Sequence, residues 1–484
     1  MQQGVHYHAT YAATPSQDSI MLFNAIVVHL KLQRMSFDVG NAYGWAPQGI
    51  KIALHYPRGM LQYNDAGEEL YMCLHKNTYG KPDGANLWHK ERDSFWLQHF
   101  DESRGGLSGW SCKRLVKEQS LFKFTWSHDA VIDTVYLLAW SDDCDMISDS
   151  VPMMTTIKEA SHNKWTVKQV DSDFMLGVRR TLRHEGEVWR LRLTQAEFID
   201  GLVGAYQDHM AEAGWDRAVP DCPTQAGLWL SLTDQVTDIE TAAVTKRGYK
   251  ALVGSLLWVS RFCHKELAVG VSLACRVMSR PSELAWKNCM QMLAWLRAHR
   301  HRGIEFRSDE TVHGLVATTD ASNKPDPKDS RCQGGYDVHW CGGPISVHSS
   351  KLKHPGYGSP ANEYMAIRAA VCTVAKFRYV FEELGLTEVT ARPTKVYCDN
   401  ATAIQWVKTG KCTEGNQYID LAYHLPRQME EEQVVEICGI DTTDNTSDLA
   451  SKPFSPTEVK RLLASFTGHE VWLIKMPRHK PTFT

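Results

Sequence analysis

The feature that most constrains the fold of this chain is a set of short segments that each end in aspartate. The apolar segment 135–140 leads through Ser141 into Asp142 and Asp143, and the segment 32–37 leads into Asp38. Such patterns are typical of strands that carry carboxylates to one edge of a sheet. An aspartate pair in a turn with a distant third predicts a site for two divalent cations. Mg²⁺ prefers hard oxygen ligands, and two ions roughly 4 Å apart can hold both oxygens of a phosphoryl displacement.

A second acidic set lies in the C-terminal third of the chain. The segments 315–320 and 395–399 end in Asp320 and Asp399, and Glu363 and Asp448 lie near the starts of helix-like segments. Two separate carboxylate sets on one chain predict two separate phosphodiester chemistries.

The bulk composition is that of an ordinary globular protein. A length of 484 residues predicts roughly three domains of about 150 residues. No segment approaches the roughly 20 apolar residues of a membrane span, and the N-terminal residues do not have the pattern of a signal peptide. The 13 cysteines include no CxxC pair. We therefore expect reduced, mostly buried thiols and a cytosolic or nuclear location.

The net charge and the local charge clusters point in different directions on whether the chain binds nucleic acid. The net charge of −3 counts against a nucleic-acid binder, for which a basic excess is usual. Two basic clusters are compatible either with phosphate contacts or, equally, with solvated faces. They comprise Arg179, Arg180, Arg183, Arg190 and Arg192, and then Arg297, Arg300, Arg302 and Arg307 with His299 and His301.

Hydrophobic periodicity predicts several elements around these acids. An apolar stripe predicts a helix over 15–32, and alternation predicts a hairpin over 174–193 with its turn at 184–186. Residues 247–302 have a strongly helical pattern, and a long helix is predicted from about 360 to 385, with Ser359 as its N-cap.

Several ordered motifs resemble one known family. These are FDVGNAY at Asp38, WSDD at residues 140–143, FMLG at 174–177, YKALVGSLLW, and then TTDAS, NEYMA, YCDN and SDLASKP in order. Together they resemble the reverse transcriptase and ribonuclease H part of the Pol polyprotein of copia-type LTR retrotransposons. The likeness extends from about residue 3 to about 475.

The resemblance implies a multidomain fold of mixed α+β and α/β class. It implies reverse transcriptase fingers and palm in 1–165, with incomplete fingers, and a primer-grip hairpin, thumb and helical connection in 166–309. A ribonuclease H-like domain is expected in 310–475, separable from the rest, followed by a tail in 476–484.

For the polymerase site, the resemblance implies that Asp38, Asp142 and Asp143 are catalytic and bind two Mg²⁺ or Mn²⁺ ions. Tyr43 would contact the incoming nucleotide and exclude a 2′-hydroxyl, although a core aromatic is the alternative. Met175, Leu176 and Gly177 would contact primer and template.

Three departures from the family pattern bear on the polymerase. Ser141 stands where the family usually has valine, and Lys81-Pro82-Asp83-Gly84 replaces a segment that contains glutamine. The sequence also begins after the family's upstream basic strand, so we expect weak polymerase activity with poor nucleotide affinity.

For the ribonuclease H site, the resemblance implies that Asp320, Glu363, Asp399 and Asp448 are catalytic and bind two Mg²⁺ or Mn²⁺ ions. His424 is either a proton shuttle or, at odds of about two to one, a structural histidine.

The partners that the resemblance implies are an RNA template, a DNA primer, an RNA–DNA hybrid and deoxynucleoside triphosphates, without a membrane. The location that it implies is the cytoplasm, within a virus-like particle, or the nucleus. Three functions remain open at this point. They are a polymerase with ribonuclease H activity, a nuclease with an inactive polymerase domain, and a non-enzymatic nucleic-acid-binding remnant.

Overall fold

A computed structural model of the chain describes residues 9–309, 314–356, 358–410, 417, 419 and 421–469. Its described part is a mixed α/β structure with several sheets. The backbone divides into two compact units, residues 1–16 with 32–172, and residues 17–31 with 173–484. The predicted boundaries at 165, 309 and 475 stay predictions, and the expected tail 476–484 lies outside the described residues.

The first helix belongs to the second unit although it precedes the first unit's strands in the chain. Helix α1 (Gln17–His29) confirms the helix predicted over 15–32. It falls within the segment 1–165 that was expected to form fingers and palm, yet it groups with the second unit. Its side chains from Ser19 to Val28 are all buried, because elements of that unit surround the helix.

The first unit is built on a six-stranded antiparallel sheet with the strand order β4-β5-β6-β7-β1-β8. Large apolar side chains of helices α3 and α4, including Trp88, Trp96 and Ile157, form one core with Phe37 and Phe122 of the sheet. Strands β2 and β3 form a separate two-stranded sheet. The elements are β1 (Gln33–Val39), α2 (Ala42–Trp45), β2 (Pro47–His55), β3 (Tyr71–Lys76), α3 (Gly84–His99), β4 (Trp110–Arg114), β5 (Leu121–His128), β6 (Val131–Trp140), β7 (Asp143–Ser148), α4 (Val151–Lys164) and β8 (Val167–Val170).

The N-terminal part of the second unit combines a four-stranded sheet, order β12-β11-β10-β9, with a group of helices. The hairpin predicted over 174–193 is confirmed as β10 and β11, with its turn at 186–187 and not at 184–186. Residues 174–177, which the prediction included in this hairpin, instead form β9 and a separate turn. The helical pattern of 247–302 is confirmed as α7, α8 and α9. The elements are β9 (Phe174–Met175), β10 (Val178–Glu185), β11 (Val188–Thr194), α5 (Ala196–Glu212), α6 (Asp238–Lys246), α7 (Tyr249–Phe262), α8 (Ala268–Arg276), α9 (Glu283–His299) and β12 (Ile304–Arg307).

The C-terminal part is built on a five-stranded sheet in the order β15-β14-β13-β16-β17. Strands β13, β16 and β17 are parallel, and the β13–β14–β15 segment is antiparallel. The long helix has Gly358, not Ser359, as its N-cap, so that Ser359 is the first helical residue. The elements are β13 (Val316–Ala321), β14 (Gln333–Trp340), β15 (Gly343–Lys351), α10 (Ser359–Leu384), α11 (Thr387–Thr390), β16 (Thr394–Cys398), α12 (Ala401–Thr409), α13 (Leu425–Glu431), β17 (Val435–Gly439), α14 (Asp448–Ser451) and α15 (Pro456–Phe466).

None of the helices in the described ranges is long and apolar enough to cross a membrane. The cysteines described by the structure are all free thiols, and most are buried.

Candidate active sites

The first carboxylate set meets at one edge of the six-stranded sheet. Asp38 on β1 pairs in antiparallel register with Asp143 on β7. Asp142 precedes it in the two-residue turn after β6, and its carbonyl accepts a hydrogen bond of 3.1 Å from the Val39 N–H. The structure therefore brings together the three acids that the sequence singled out, because the β6–β7 hairpin lies directly beside β1.

Two of these carboxyl groups, those of Asp38 and Asp143, have raised pKa values. Burial and then the charge of Asp142 raise the pKa of Asp38. Burial, followed by the charges of Asp142 and Asp38, raises the pKa of Asp143 to about 6. Such clustering of like charges is unfavourable unless a cation compensates it. The donor atoms are carboxylate oxygens, so the residues fit a hard divalent cation.

Two stacked tyrosines border this set. Tyr43 on α2 stacks on Tyr79, with ring centroids 4.6 Å apart and planes 24° from parallel. Burial and the charges of Asp142, Tyr43 and Asp38 raise the pKa of Tyr79, which places its phenol close to the acids. Tyr79 was not among the predicted site residues, although its Tyr-Gly motif was the available signal. Tyr43 is half-buried. Its contact with the incoming nucleotide stays a prediction.

The expected primer and template residues form a tight hairpin turn in the second unit. Met175 ends β9 and pairs with Val178 of β10, so Leu176 and Gly177 are the two turn residues. Both have positive φ, at 53° and 75°, as a type I′ turn requires. The structure thus gives these residues a clear backbone role, and contact with nucleic acid stays a prediction.

The second carboxylate set gathers beside the parallel strands β13 and β16. Asp320 lies on β13 and Asp399 directly follows β16, and the pairing of Thr319 with Cys398 places them side by side. Glu363 projects from α10, and Asp448 begins α14. Burial and then the charges of Asp320 and Asp399 raise the pKa of Glu363. Burial and Asp320 likewise raise the pKa values of Asp399 and Asp448. All four predicted acids are therefore brought together.

Helix α14 can lie close to β14 because β14 has a glycine, and therefore no side chain, at the point of contact. Gly335 pairs with Asp320 across the sheet, and a Cβ added to Gly335 would lie 2.5 Å from the carbonyl carbon of Ala450. A side chain at this position would push away the helix that carries Asp448. The Gly334-Gly335 pair in the sequence was the available signal for this close approach.

Neighbouring side chains orient the second set. Thr442 donates a hydrogen bond of 2.9 Å to Asp399, and the Ser451 hydroxyl donates to Asp320. Lys452, which sequence reasoning missed, places its ammonium 3.2 Å from Asp320 Oδ2 and 2.9 Å from Asp448 Oδ1.

A thiol also lies in this cluster but is unsuited to a hard cation. The ligand atoms of Glu363, Cys398 and Asp399 lie within 4.8 Å of one another. Burial, followed by the charge of Glu363, raises the pKa of the Cys398 thiol well above its ordinary value, so the thiol stays protonated. The four carboxylates therefore form the donor set that fits Mg²⁺ or Mn²⁺.

His424 contacts the neighbour of one of these acids. Its Nδ1 lies 2.8 Å from the hydroxyl of Tyr364, which follows Glu363 on α10. This contact gives His424 a structural role beside α10. Its role as a proton shuttle stays a prediction.

The two arginine clusters are largely engaged within the protein. In the first cluster Arg190 and Arg192 both contact Glu305, at 3.0 and 3.1 Å, and Arg179 contacts Glu197. In the second, Arg300 pairs with Asp200 and Arg307 with Asp309. Much of the positive charge in both clusters is therefore neutralised by acidic side chains of the protein itself, so these arginines do not require bound phosphate.

Comparisons with known proteins identify relatives of the same kind as the family that the sequence motifs resemble. The chain is 22% identical over 461 residues to the retrovirus-related Pol polyprotein from transposon TNT 1-94 of Nicotiana tabacum, a match covering 93% of this chain and 32% of that protein. It is 22% identical over 476 residues to the corresponding polyprotein from transposon RE2 of Arabidopsis thaliana, covering 98% of this chain and 30% of that protein. No protein-family model matches the chain.

Among solved structures, the chain was matched to a foamy viral protease-reverse transcriptase in complex with double-stranded DNA. The match covers 87% of this chain and 61% of that chain at 10% identity, with a TM-score of 0.18, which is too low to support an argument. The chain spans about a third of the length of the curated relatives it matches. Over nearly its whole length, the chain resembles the Pol polyproteins of copia-type retrotransposons.

Proposed function

We propose that the chain is an RNA-directed DNA polymerase with ribonuclease H activity, and forms part of a retrotransposon Pol. The observation that carries the proposal is that two carboxylate sets, each from distant parts of the sequence, gather on two different sheets. Burial and neighbouring carboxylates raise the pKa values of Asp38 and Asp143 in the first set, and those of Glu363, Asp399 and Asp448 in the second. Bound cations would relieve this unfavourable clustering of like charges.

In this proposal the first unit supplies the fingers and palm of the polymerase. Asp38, Asp142 and Asp143 hold two Mg²⁺ or Mn²⁺ ions at the sheet edge. Divalent cations bound there supply Lewis-acid stabilisation of the charge that develops on the transferred phosphoryl group. The stacked rings of Tyr43 and Tyr79 lie beside these acids and form a flat apolar surface for the sugar of the incoming nucleotide.

The second unit supplies the primer-grip hairpin, the helical thumb and connection, and the ribonuclease H-like part. Asp320, Glu363, Asp399 and Asp448 hold the cations for hydrolysis of the RNA strand of an RNA–DNA hybrid. Thr442 and Ser451 fix the orientation of two of these carboxylates through hydrogen bonds. A carboxylate that is already oriented loses less conformational freedom when it binds a cation.

Two assays on the full chain test the proposal. Primer extension on an RNA template and cleavage of the RNA in a hybrid are both expected in the presence of Mg²⁺ or Mn²⁺. Hybrid cleavage without primer extension would reduce the function to a nuclease with an inactive polymerase domain. Binding of hybrid with neither activity would leave a non-enzymatic nucleic-acid-binding protein.

A further inference from the structure

The acid pair of the first site is carried by a tight turn with a disfavoured backbone conformation. Trp140 pairs with Asp143, so Ser141 and Asp142 alone connect β6 to β7. Ser141 has a φ of 55°, in the left-handed region that side-chain-bearing residues rarely adopt. Contacts outside the hairpin are therefore needed to hold this turn in one conformation.

Helix α3 supplies these contacts. The Ser141 carbonyl accepts two hydrogen bonds, of 2.9 Å from the Trp88 indole Nε1 and of 3.0 Å from Arg92 Nη1. On the other side of the same turn, the Asp142 carbonyl accepts from the Val39 N–H, next to Asp38. Since the peptide planes on both sides of Asp142 are fixed, the directions in which Asp142 and Asp143 leave the backbone are fixed as well.

A buried ionic network holds Arg92 in place. The Arg92 side chain is 1% exposed. Its Nε and Nη2 donate to Asp93 Oδ1 at 3.1 and 2.9 Å, and Nη2 also donates to His89 Nδ1 at 3.0 Å. His89 Nε2 lies 3.0 Å from Asp93 Oδ2 and 3.2 Å from Arg114 Nη1, so the histidine belongs to the same network.

A second arginine contacts the same network but not the turn. Arg114 Nη1 donates to Asp93 Oδ2 at 2.6 Å, and its side chain is 32% exposed. Asp93 is thus held by two cations, of which Arg92 also reaches the Ser141 carbonyl. A buried guanidinium is costly unless its donors are satisfied, and here Ser141 is one of the acceptors that satisfy them.

We propose that Arg92 is a positioning residue for Asp142 and Asp143, which it acts on through the carbonyl of Ser141. The inference rests on the polymerase function proposed above and deepens it. Arg92 neither touches the substrate nor holds a cation. It fixes the turn so that the two carboxylates are in place before the reaction, and displacement of a catalytic group by about 1 Å can cost roughly 100-fold in rate.

The test compares Arg92→Met with Arg114→Met in the full chain. Both substitutions remove one cation from Asp93, but only Arg92→Met removes a donor to the turn. We expect Arg92→Met to lower kcat of primer extension by about 10- to 100-fold, with KM for the nucleotide near that of the wild type. Arg114→Met should leave kcat near the wild-type value, and Arg92→Lys should restore part of the lost rate. Hybrid cleavage by the same samples should be unchanged.

A second measurement does not depend on activity. Hydrogen exchange of peptides that span residues 139–145 should become faster in Arg92→Met and stay at the wild-type rate in Arg114→Met. Should Arg92→Met fail to fold, Arg92→Met combined with Asp93→Asn removes the charge of the carboxylate that has lost one of its two arginine partners. Equal effects of the two arginine substitutions, or unchanged exchange at the turn, would overturn the proposal. A wild-type chain without primer extension would refute the polymerase function, while the exchange comparison would still decide the role of Arg92.

Discussion

At the residue scale, Lys452 places a cation inside the second carboxylate set. Its ammonium lies within 3.2 Å of Asp320 and 2.9 Å of Asp448. Burial lowers the pKa of this lysine, but the charges of Asp320 and Asp448 outweigh burial, so the pKa is above its ordinary value. The ammonium therefore competes with a divalent cation for the same two carboxylates.

We expect Lys452→Met to tighten Mg²⁺ binding at this site by up to about fivefold, since a partly exposed ion pair contributes roughly 1 kcal/mol at most. Isothermal titration calorimetry would measure this in a chain that also carries Asp142→Asn and Asp143→Asn, which isolates the second site. Lys460→Met, on the exposed face of α15, is the control. Unchanged or weaker binding in Lys452→Met would show that the lysine does not compete with the cation.

Asp337 on β14 makes stability depend on pH. It is fully buried and accepts a hydrogen bond of 2.7 Å from the Thr318 hydroxyl. Burial raises its pKa to about 7 from the ordinary 3.8. The folded state thus binds this proton more tightly than the unfolded state does. The stabilisation that results from binding this proton is fully present below pH 3.8 and is lost as the pH rises to about 7.

Asp337→Asn should therefore stabilise the protein more at pH 8 than at pH 5, by roughly 1–3 kcal/mol in the free energy of unfolding. Urea unfolding at the two pH values would measure the difference. Asp329→Asn is the matched control, because the Arg331 hydrogen bond keeps the pKa of Asp329 below its ordinary value and its carboxyl is ionised throughout this range. A gain from Asp337→Asn that does not vary with pH would contradict the prediction.

At the element scale, α1 connects the two sheets of the second unit. It packs on β15 of the five-stranded sheet, on β11 and β12 of the four-stranded sheet, and on α7. Asp18 at its start accepts a hydrogen bond of 2.9 Å from Ser346 of β15. A helix enclosed in this way stabilises the unit through burial rather than through its own helix propensity.

We expect Ile26→Asp in α1 to destabilise the second unit by roughly 3 kcal/mol or more, because Ile26 is 0% exposed and the new carboxylate would be buried without a partner. Faster hydrogen exchange of β15 amides and loss of hybrid cleavage would report the effect. Ile239→Asp in α6 is the control, since Ile239 is 85% exposed. Equal exchange in both variants would show that α1 does not support β15.

The same packing bears on the expectation that 310–475 is separable. A fragment that starts at residue 310 lacks β12, whose Glu305 and Arg307 N–H groups donate to the carbonyls of Thr467 and Cys341 at 3.0 and 2.8 Å. It also lacks α1. We therefore expect such a fragment to be less stable than the complete second unit.

At the scale of the whole molecule, the two carboxylate sets belong to different compact units. Each unit has its own sheet and its own core, so loss of one set should leave the other intact. We expect Asp143→Asn to lower primer extension by about 100-fold or more without changing hybrid cleavage, and Asp399→Asn to have the reverse effect. Chelation of divalent cations should stop both activities, and Mn²⁺ should restore them. Loss of both activities from either substitution, in a folded protein, would contradict two independent sites.

Residue type and strand pattern were enough to identify the carboxylates that could form sites. Asp38, Asp320 and Asp399 each follow a strand pattern, and strand ends that share a sheet edge meet there. The long helix with Glu363 and the hairpin of β10 and β11 were also predictable, because their periodicity is local. The tight turn after Met175 was not predicted. Local patterns depend on residues a few positions apart, and the printed sequence contains that information directly.

The contacts between segments far apart in the chain could be seen only once the chain was folded. Helix α1 is buried on all sides, so no polar face in its sequence indicates which unit it joins. The donors to Ser141 lie 53 and 49 residues away, and Lys452 lies 132 residues after Asp320 (452 − 320). Tyr79 stacks on Tyr43, which lies 36 residues earlier in the chain (79 − 43). These arrangements follow from how elements pack against each other, which residue type and periodicity do not specify.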